Sequence, residues 1–270
     1  MFDLLLKNGT VHAGSGADPF QADIGIQQDR IVQISQIQES EAHKVLDCSG
    51  LVVSPGFVDI HSHSDHYIMI DPLAESKMLQ GVTTEIGGNC GYSPAPLSEA
   101  LWKDRGEAYK NQFGLEIDWR TTGEFLDRME QSGTGVNYAQ LIGHNTVRSA
   151  ILGTADVQPN RDELDRMRNA IRQGMQEGAF GMSTGFAYSP SCFAKTEELV
   201  DLYRTVQQEN GVFAAHIRSE GTRLLEAIEE AITIARESGA PLQISHLKTA
   251  GEENWHKLNR ALEMIEAAMD

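Results

Sequence analysis

Two histidines one residue apart, His61 and His63, close an apolar, β-prone run that contains Phe57, Val58 and Ile60. In a strand, positions two apart share a face, so both imidazoles can aim at one point. Two converging imidazoles are half of a metal site. A cysteine between glycines follows a second β-prone run, in Gly87-Gly88-Asn89-Cys90-Gly91. Two further histidines, His216 and His246, stand at the same relative position in two successive later runs. A thiolate with imidazoles is a donor set that suits zinc. His144 follows a third run, Tyr188 a fourth, Arg218 lies two residues after His216, and Lys248 two after His246. Each of these residues taken singly also has an ordinary structural reading: a hydrogen-bonded core histidine, a small buried cysteine, a capping tyrosine, paired rim charges. Cys48 and Cys192 lack polar neighbours of this kind and are read as structural.

The elements that must position these residues come in two groups. Over residues 1–54, short β-prone runs (3–7, 22–27, 30–35, 44–47, 51–53) are separated by turn residues, and Asn8-Gly9 is a hairpin-turn signal. This region is read as a small β-sheet domain. From 55 to 270, β-prone runs at 56–60, 83–87, 137–143, 179–183, 212–216 and 242–246 alternate with helical patterns. Asn160 and Glu163 form a capping pair ahead of an apolar stripe of Leu164, Met167, Ile171 and Met175. Leu224, Leu225, Ile228, Ala231, Ile232 and Ala235 make a second stripe. Leu258, Leu262, Ile265 and Met269 make a third. Repeated strand–helix units predict a parallel α/β sheet of (β/α)8 TIM-like barrel type, whose chemistry gathers at the strand C-termini. Six of the nine histidines, counting His66, fall at or beside those ends. Six units are present rather than eight, so the barrel is expected to be incomplete, its closing strands missing.

Composition sets outer bounds. Lys+Arg number 22 against 39 Asp+Glu, for a net charge of −17, which argues against binding a nucleic-acid backbone or an anionic lipid surface. No apolar run approaches the ~20 residues that cross a bilayer, and the N-terminal nine residues carry an early acid and too short an apolar core for export. Three scattered cysteines fit a reducing compartment, so a cytoplasmic protein without a membrane partner is expected.

The motifs together resemble the amidohydrolase superfamily, in particular its D-aminoacylase (N-acyl-D-amino-acid deacylase) branch. The resemblance is carried by Pro-Gly-Phe-Val-Asp-Ile-His-Ser-His-Ser-Asp at 55–65, Gln80-Gly-Val-Thr-Thr84 leading to Gly87-Gly-Asn-Cys-Gly-Tyr-Ser93, and Gly181-Met-Ser-Thr-Gly185 with Tyr188 and Pro190. Ala215-His-Ile-Arg-Ser-Glu220 and Ile244-Ser-His-Leu-Lys248 complete it. It implies zinc-dependent hydrolysis of N-acyl-D-amino acids to a carboxylate and a free D-amino acid. It further implies a tight zinc on Cys90, His216 and His246, and a second, weaker metal position at His61 and His63. Tyr188 would polarise the scissile carbonyl and Lys248 would contact the substrate carboxylate. Arg218 and His144 are weaker candidates for substrate binding. The resemblance places the general base, an aspartate after an eighth strand, beyond Asp270, so the chain is expected to be a fragment whose activity alone is in doubt. Two alternatives stand beside this reading. One is a cyclic-amide hydrolase of hydantoinase or dihydroorotase type, which would need a metal-bridging lysine that the second to fourth strand ends lack. The other is a non-catalytic metal-binding fragment completed by a partner.

Overall fold

The structure is a computed structural model, and residues 1–269 are described. The chain divides into two compact units, Met1–Phe57 and Val58–Asp270.

The first unit is one five-stranded sheet of β1 (Phe2–Val11), β2 (Phe20–Gln27), β3 (Arg30–Ser35), β4 (Ala42–Asp47) and β5 (Val52–Val53). β1 is central, antiparallel to β2 and parallel to β4 and β5. The hairpin turn expected at Asn8-Gly9 does not form: β1 runs through it with a bulge between Leu6 and Gly9. Buried Asp23 explains the difference, because it takes the Asn8 amide (2.8 Å), the Lys7 ammonium (2.9 Å) and the Ile37 amide (2.9 Å). Asn8 sits in the left-handed region (φ 61°), which its short polar side chain tolerates. The turn signal is therefore absorbed as a bulge inside the strand.

The second unit carries β6 (Phe57–Asp59), α1 (Tyr67–Ile70), α2 (Glu75–Met78), β7 (Val82–Gly87), α3 (Glu99–Phe113), α4 (Thr122–Ser132), β8 (Asn137–Gly143) and α5 (His144–Leu152). It continues with α6 (Arg161–Gln176), β9 (Gly181–Gly185), α7 (Thr196–Gln208), β10 (Val212–His216), α8 (Leu224–Ser238), β11 (Leu242–Ile244) and α9 (Leu258–Glu266). The strands stand side by side in chain order from β6 to β11, and β7 to β11 pair in parallel. This is the α/β half-barrel that the alternating pattern predicts.

The helices follow local chemistry. Asn160 accepts the Glu163 amide while Glu163 caps back, so α6 starts where the capping pair places it, and Met167, Ile171 and Met175 are buried. α8 buries Leu224, Ala227, Ile228, Ala231 and Ile232, and ends at left-handed Gly239. The third stripe packs differently from the expectation. Ala261, Met264 and Ile265 face the core, while Leu258, Leu262 and Met269 are exposed, Met269 at 82%. Counting every third or fourth apolar residue selected a face one position off the packed one.

Candidate metal centre

The C-terminal ends of four strands bring one sulfur and three imidazoles together. Cys90 follows β7 in a loop whose backbone is strained: Gly88, Cys90 and Gly91 all have positive φ (76°, 53° and 80°). That loop is clamped from the start of α5. The Thr146 amide donates to the Gly91 carbonyl (3.2 Å), the Ser93 amide donates to Thr146 Oγ1 (2.9 Å), and the Gly91 amide donates to Ser183 Oγ on β9 (2.9 Å). A β-carbon at Gly185 would lie 2.1 Å from the Cys90 carbonyl oxygen, so only glycine allows the two backbones this close.

Held there, Cys90 Sγ lies 3.4 Å from His61 Nε2, 3.4 Å from His216 Nδ1 and 3.5 Å from His246 Nε2. β6 and β11 are the two ends of the strand order, yet the rings of His61 and His246 are 4.8 Å apart, so the sheet curls enough for side chains from both ends to meet. The sulfur–nitrogen edge of a zinc tetrahedron with Zn–S near 2.3 Å and Zn–N near 2.0–2.1 Å is about 3.5 Å. The donor types and the sulfur–nitrogen spacings therefore fit such an ion, and the ligand atoms fall into two groups that share His246: His61 with Cys90, and His216 with Glu220.

Electrostatics agree. Burial first, then the neighbouring His246, pushes both His61 and His216 down to about 4, so both rings are neutral and carry lone pairs at pH 7. Burial and the Glu220 charge push the Cys90 thiol up to about 11. Only a strongly positive neighbour would make it a thiolate at neutral pH, which is what a divalent ion supplies. Glu220 adds the outer support. Its Oε1 lies 2.7 Å from His246 Nδ1 and also pairs with Lys248. A carboxylate on Nδ1 fixes the tautomer that leaves the Nε2 lone pair facing Cys90. The motif containing Glu220 is visible in the sequence, but only its position four residues after His216 could have hinted at this role.

The other predicted residues are distributed unevenly. His63 is half a step away, its ring edge-on to His61 at 5.2 Å, and it is not among the residues whose ligand atoms converge. His61 lies against Cys90 Sγ and beside the His63 ring alike. Tyr188 is 42% exposed with its ring 4.9 Å from that of His216, at the edge of the cluster. Lys248 points its ammonium to Glu220.

Two candidates for substrate binding do not reach the site. His144 is fully buried, with Nδ1 at 2.5 Å from Ser191 Oγ and Nε2 at 3.1 Å from Glu198. Both ring nitrogens are spent, because β8 ends one residue before it and His144 begins α5 in the interior. Arg218 donates twice to Glu230 (2.8 and 3.0 Å) and to the carbonyls of Cys192 and Ala194, which occupies four of its five N–H groups. Its ring-face contact with Phe186 completes a packing role.

Comparison with known proteins follows the same lines. The model of an amidohydrolase family matches residues 44–267. A D-aminoacylase of Alcaligenes xylosoxydans xylosoxydans is 37% identical over 99% of this chain and 55% of that protein. The crystal structure of a D-aminoacylase superposes with a TM-score of 0.91 at 35% identity, covering 100% of this chain and 56% of the other. An N-acyl-D-glutamate deacylase from Bordetella bronchiseptica, solved with zinc and a phosphonate that mimics the tetrahedral intermediate, superposes with a TM-score of 0.92 at 29% identity over 99% and 56% of the two chains. The chain thus spans about half the length of the relatives it matches.

Proposed function

Because this chain belongs to the amidohydrolase family, we propose that it carries the metal-binding half of a zinc-dependent hydrolase that cleaves the amide bond of N-acyl-D-amino acids. The observation that carries this reading is the convergence of three imidazole nitrogens on Cys90 Sγ at 3.4–3.5 Å. We read the organisation as a small β domain over 1–54 and a hydrolase barrel over 55–270.

In this reading Cys90, His216 and His246 hold the tight ion, and His61 with His63 offers a second, weaker position. Zinc so bound supplies a Lewis acid and a source of hydroxide at neutral pH. Glu220 fixes the His246 ring by accepting its Nδ1 proton. Tyr188, at the edge of the cluster, presents its phenol to the carbonyl of the scissile amide and stabilises the negative charge that develops there. Lys248 takes the substrate α-carboxylate, exchanging its Glu220 partner for it. The described residues hold no assigned general base, since Glu220 is already engaged by His246 and Lys248. The relatives' names specify D-amino acids, and the stereochemical preference proposed here comes from them.

Elemental analysis of purified wild type and Cys90→Ala, with N-acetyl-D- and N-acetyl-L-methionine as substrates, tests the reading. Stoichiometric zinc lost in the variant supports the site. Zinc retained without Cys90 refutes the ligand set, and turnover of the L form alone refutes the substrate class.

A further inference from the structure

Arg105 is an arginine with no carboxylate at ion-pair distance. It stands on α3, half-buried, with Nη1 donating to the Ser93 carbonyl (2.8 Å) and Nη2 to Thr146 Oγ1 (3.5 Å). That uses two of the five N–H groups of a guanidinium. It forms no ion pair among the described residues. Partly buried cations are ordinarily paired, since loss of hydration is costly.

The guanidinium lines a cavity of about 550 Å³ whose other walls include His63, Tyr67, Tyr92, Tyr109 and Trp119. This is a size suited to a small organic group, and the mix of aromatic wall and one cation suits an apolar chain ending in an anion. Asp65 also lines it; its carboxylate accepts the Gly88 amide and acts on Arg105 only from beyond ion-pair distance. Because His63 forms one wall and its ring abuts that of His61, the cavity lies beside the cluster on the β6 side. Lys248, the proposed partner of the α-carboxylate, follows β11 at the other end of the strand order. An amide held over Cys90 with its amino-acid end at Lys248 leaves its acyl arm free to enter this cavity beside His63.

We propose that this cavity is the acyl-arm subsite and takes acyl chains that end in a carboxylate, of the N-succinyl or N-glutaryl class, with that carboxylate on Arg105. The inference rests on the deacylase reading for its orientation, but not for the binding it predicts.

Isothermal titration of the zinc-loaded chain with N-succinyl-D-alanine, N-acetyl-D-alanine and N-acetyl-D-glutamate separates the two. N-succinyl-D-alanine should bind more tightly than N-acetyl-D-alanine, and Arg105→Gln should reduce that preference about tenfold to a hundredfold, the range for a charge-assisted hydrogen bond. Tyr67→Glu, at a half-exposed wall position, should reduce it in the same direction by repulsion, and serves if Arg105→Gln does not fold. Arg105→Lys should restore part of the preference. The same dependence in a zinc-loaded chain that turns over only N-acyl-L-amino acids supports the anion subsite while the deacylase reading fails. An unchanged preference in both Arg105→Gln and Tyr67→Glu overturns the inference, whatever the turnover. A loss seen only for N-acetyl-D-glutamate also overturns it, because the carboxylate would then belong to the amino-acid side chain.

Discussion

Gly185 is the position where a single methyl group should disable the cluster without touching a ligand. Its backbone is ordinary extended strand, so alanine carries no φ penalty there. The cost is steric: a β-carbon would sit 2.1 Å from the Cys90 carbonyl oxygen, 2.8 Å from its carbon and 3.0 Å from Asn145 Nδ2. Close-packed interiors keep such atoms beyond about 3 Å, so the Cys90 peptide must retreat by about 1 Å. Zinc–ligand distances hold to about 0.2 Å, so a zinc bound on Sγ would not tolerate that shift. Gly185→Ala should therefore lose about 1–3 kcal/mol of stability, as overpacked cores do, and at least tenfold in zinc affinity, the scale of lost supporting contacts. Gly106→Ala on α3 is the matched control: nothing lies within 4 Å of its would-be β-carbon, and it should gain up to about 1 kcal/mol from helix propensity with zinc affinity unchanged. The assay is competitive zinc titration against a chromophoric chelator, beside a urea melt of each variant. A folded Gly185→Ala with wild-type zinc affinity would refute the argument that backbone proximity places the sulfur.

Other outcomes follow from the same geometry. Glu220→Gln keeps the shape but weakens the acceptor on His246 Nδ1, so zinc affinity should fall about 10- to 100-fold while the melting transition barely moves. Chelator competition and circular dichroism check both halves. For Glu198, burial opposes ionisation, but the hydrogen bonds and charges of His144 and Arg148 prevail and hold it down to about 2. Its contribution is present above the ordinary carboxyl value of 4.5 and is lost as pH falls towards 2. Holding the carboxyl that far down corresponds to about 3 kcal/mol. Urea melts between pH 2 and 7 should show that loss in wild type and a flatter profile in Glu198→Gln, with the variant about 3–5 kcal/mol less stable at pH 7 because Arg148 is left buried and unpaired.

How far the sequence reveals this arrangement depends on whether the signal is local. The half-barrel was legible because strand and helix periods alternate, and the cap at Asn160 was legible because its partner is three residues away. The proposed ligands were legible because strand ends are where such a fold exposes side chains. His216 Nδ1 and His246 Nε2 lie 3.4 and 3.5 Å from Cys90 Sγ. Properties set by distant partners were not legible. His144 looked like a rim residue, yet its fate is decided by Glu198 on α7, and that of Arg218 by Glu230 on α8. The Asn8-Gly9 signal was overridden by one buried carboxylate fifteen residues away. Arg105 gave no signal, because a missing partner has no sequence motif.

The curl of the half-barrel also has a bearing on how the molecule assembles. Strands laid down in chain order pair with their immediate predecessors, so the sheet can grow by local steps. The cluster is the exception. Cys90 and His246 are separated by 156 residues and meet only when the first strands and the last have bent round to the same rim. An ion gripping both would act as a clasp across that long span, opposing the entropy of a loop far longer than any within the sheet. Zinc uptake should thus be among the last events of folding, and its release on chelation should loosen the rim before it disturbs the pairing of neighbouring strands.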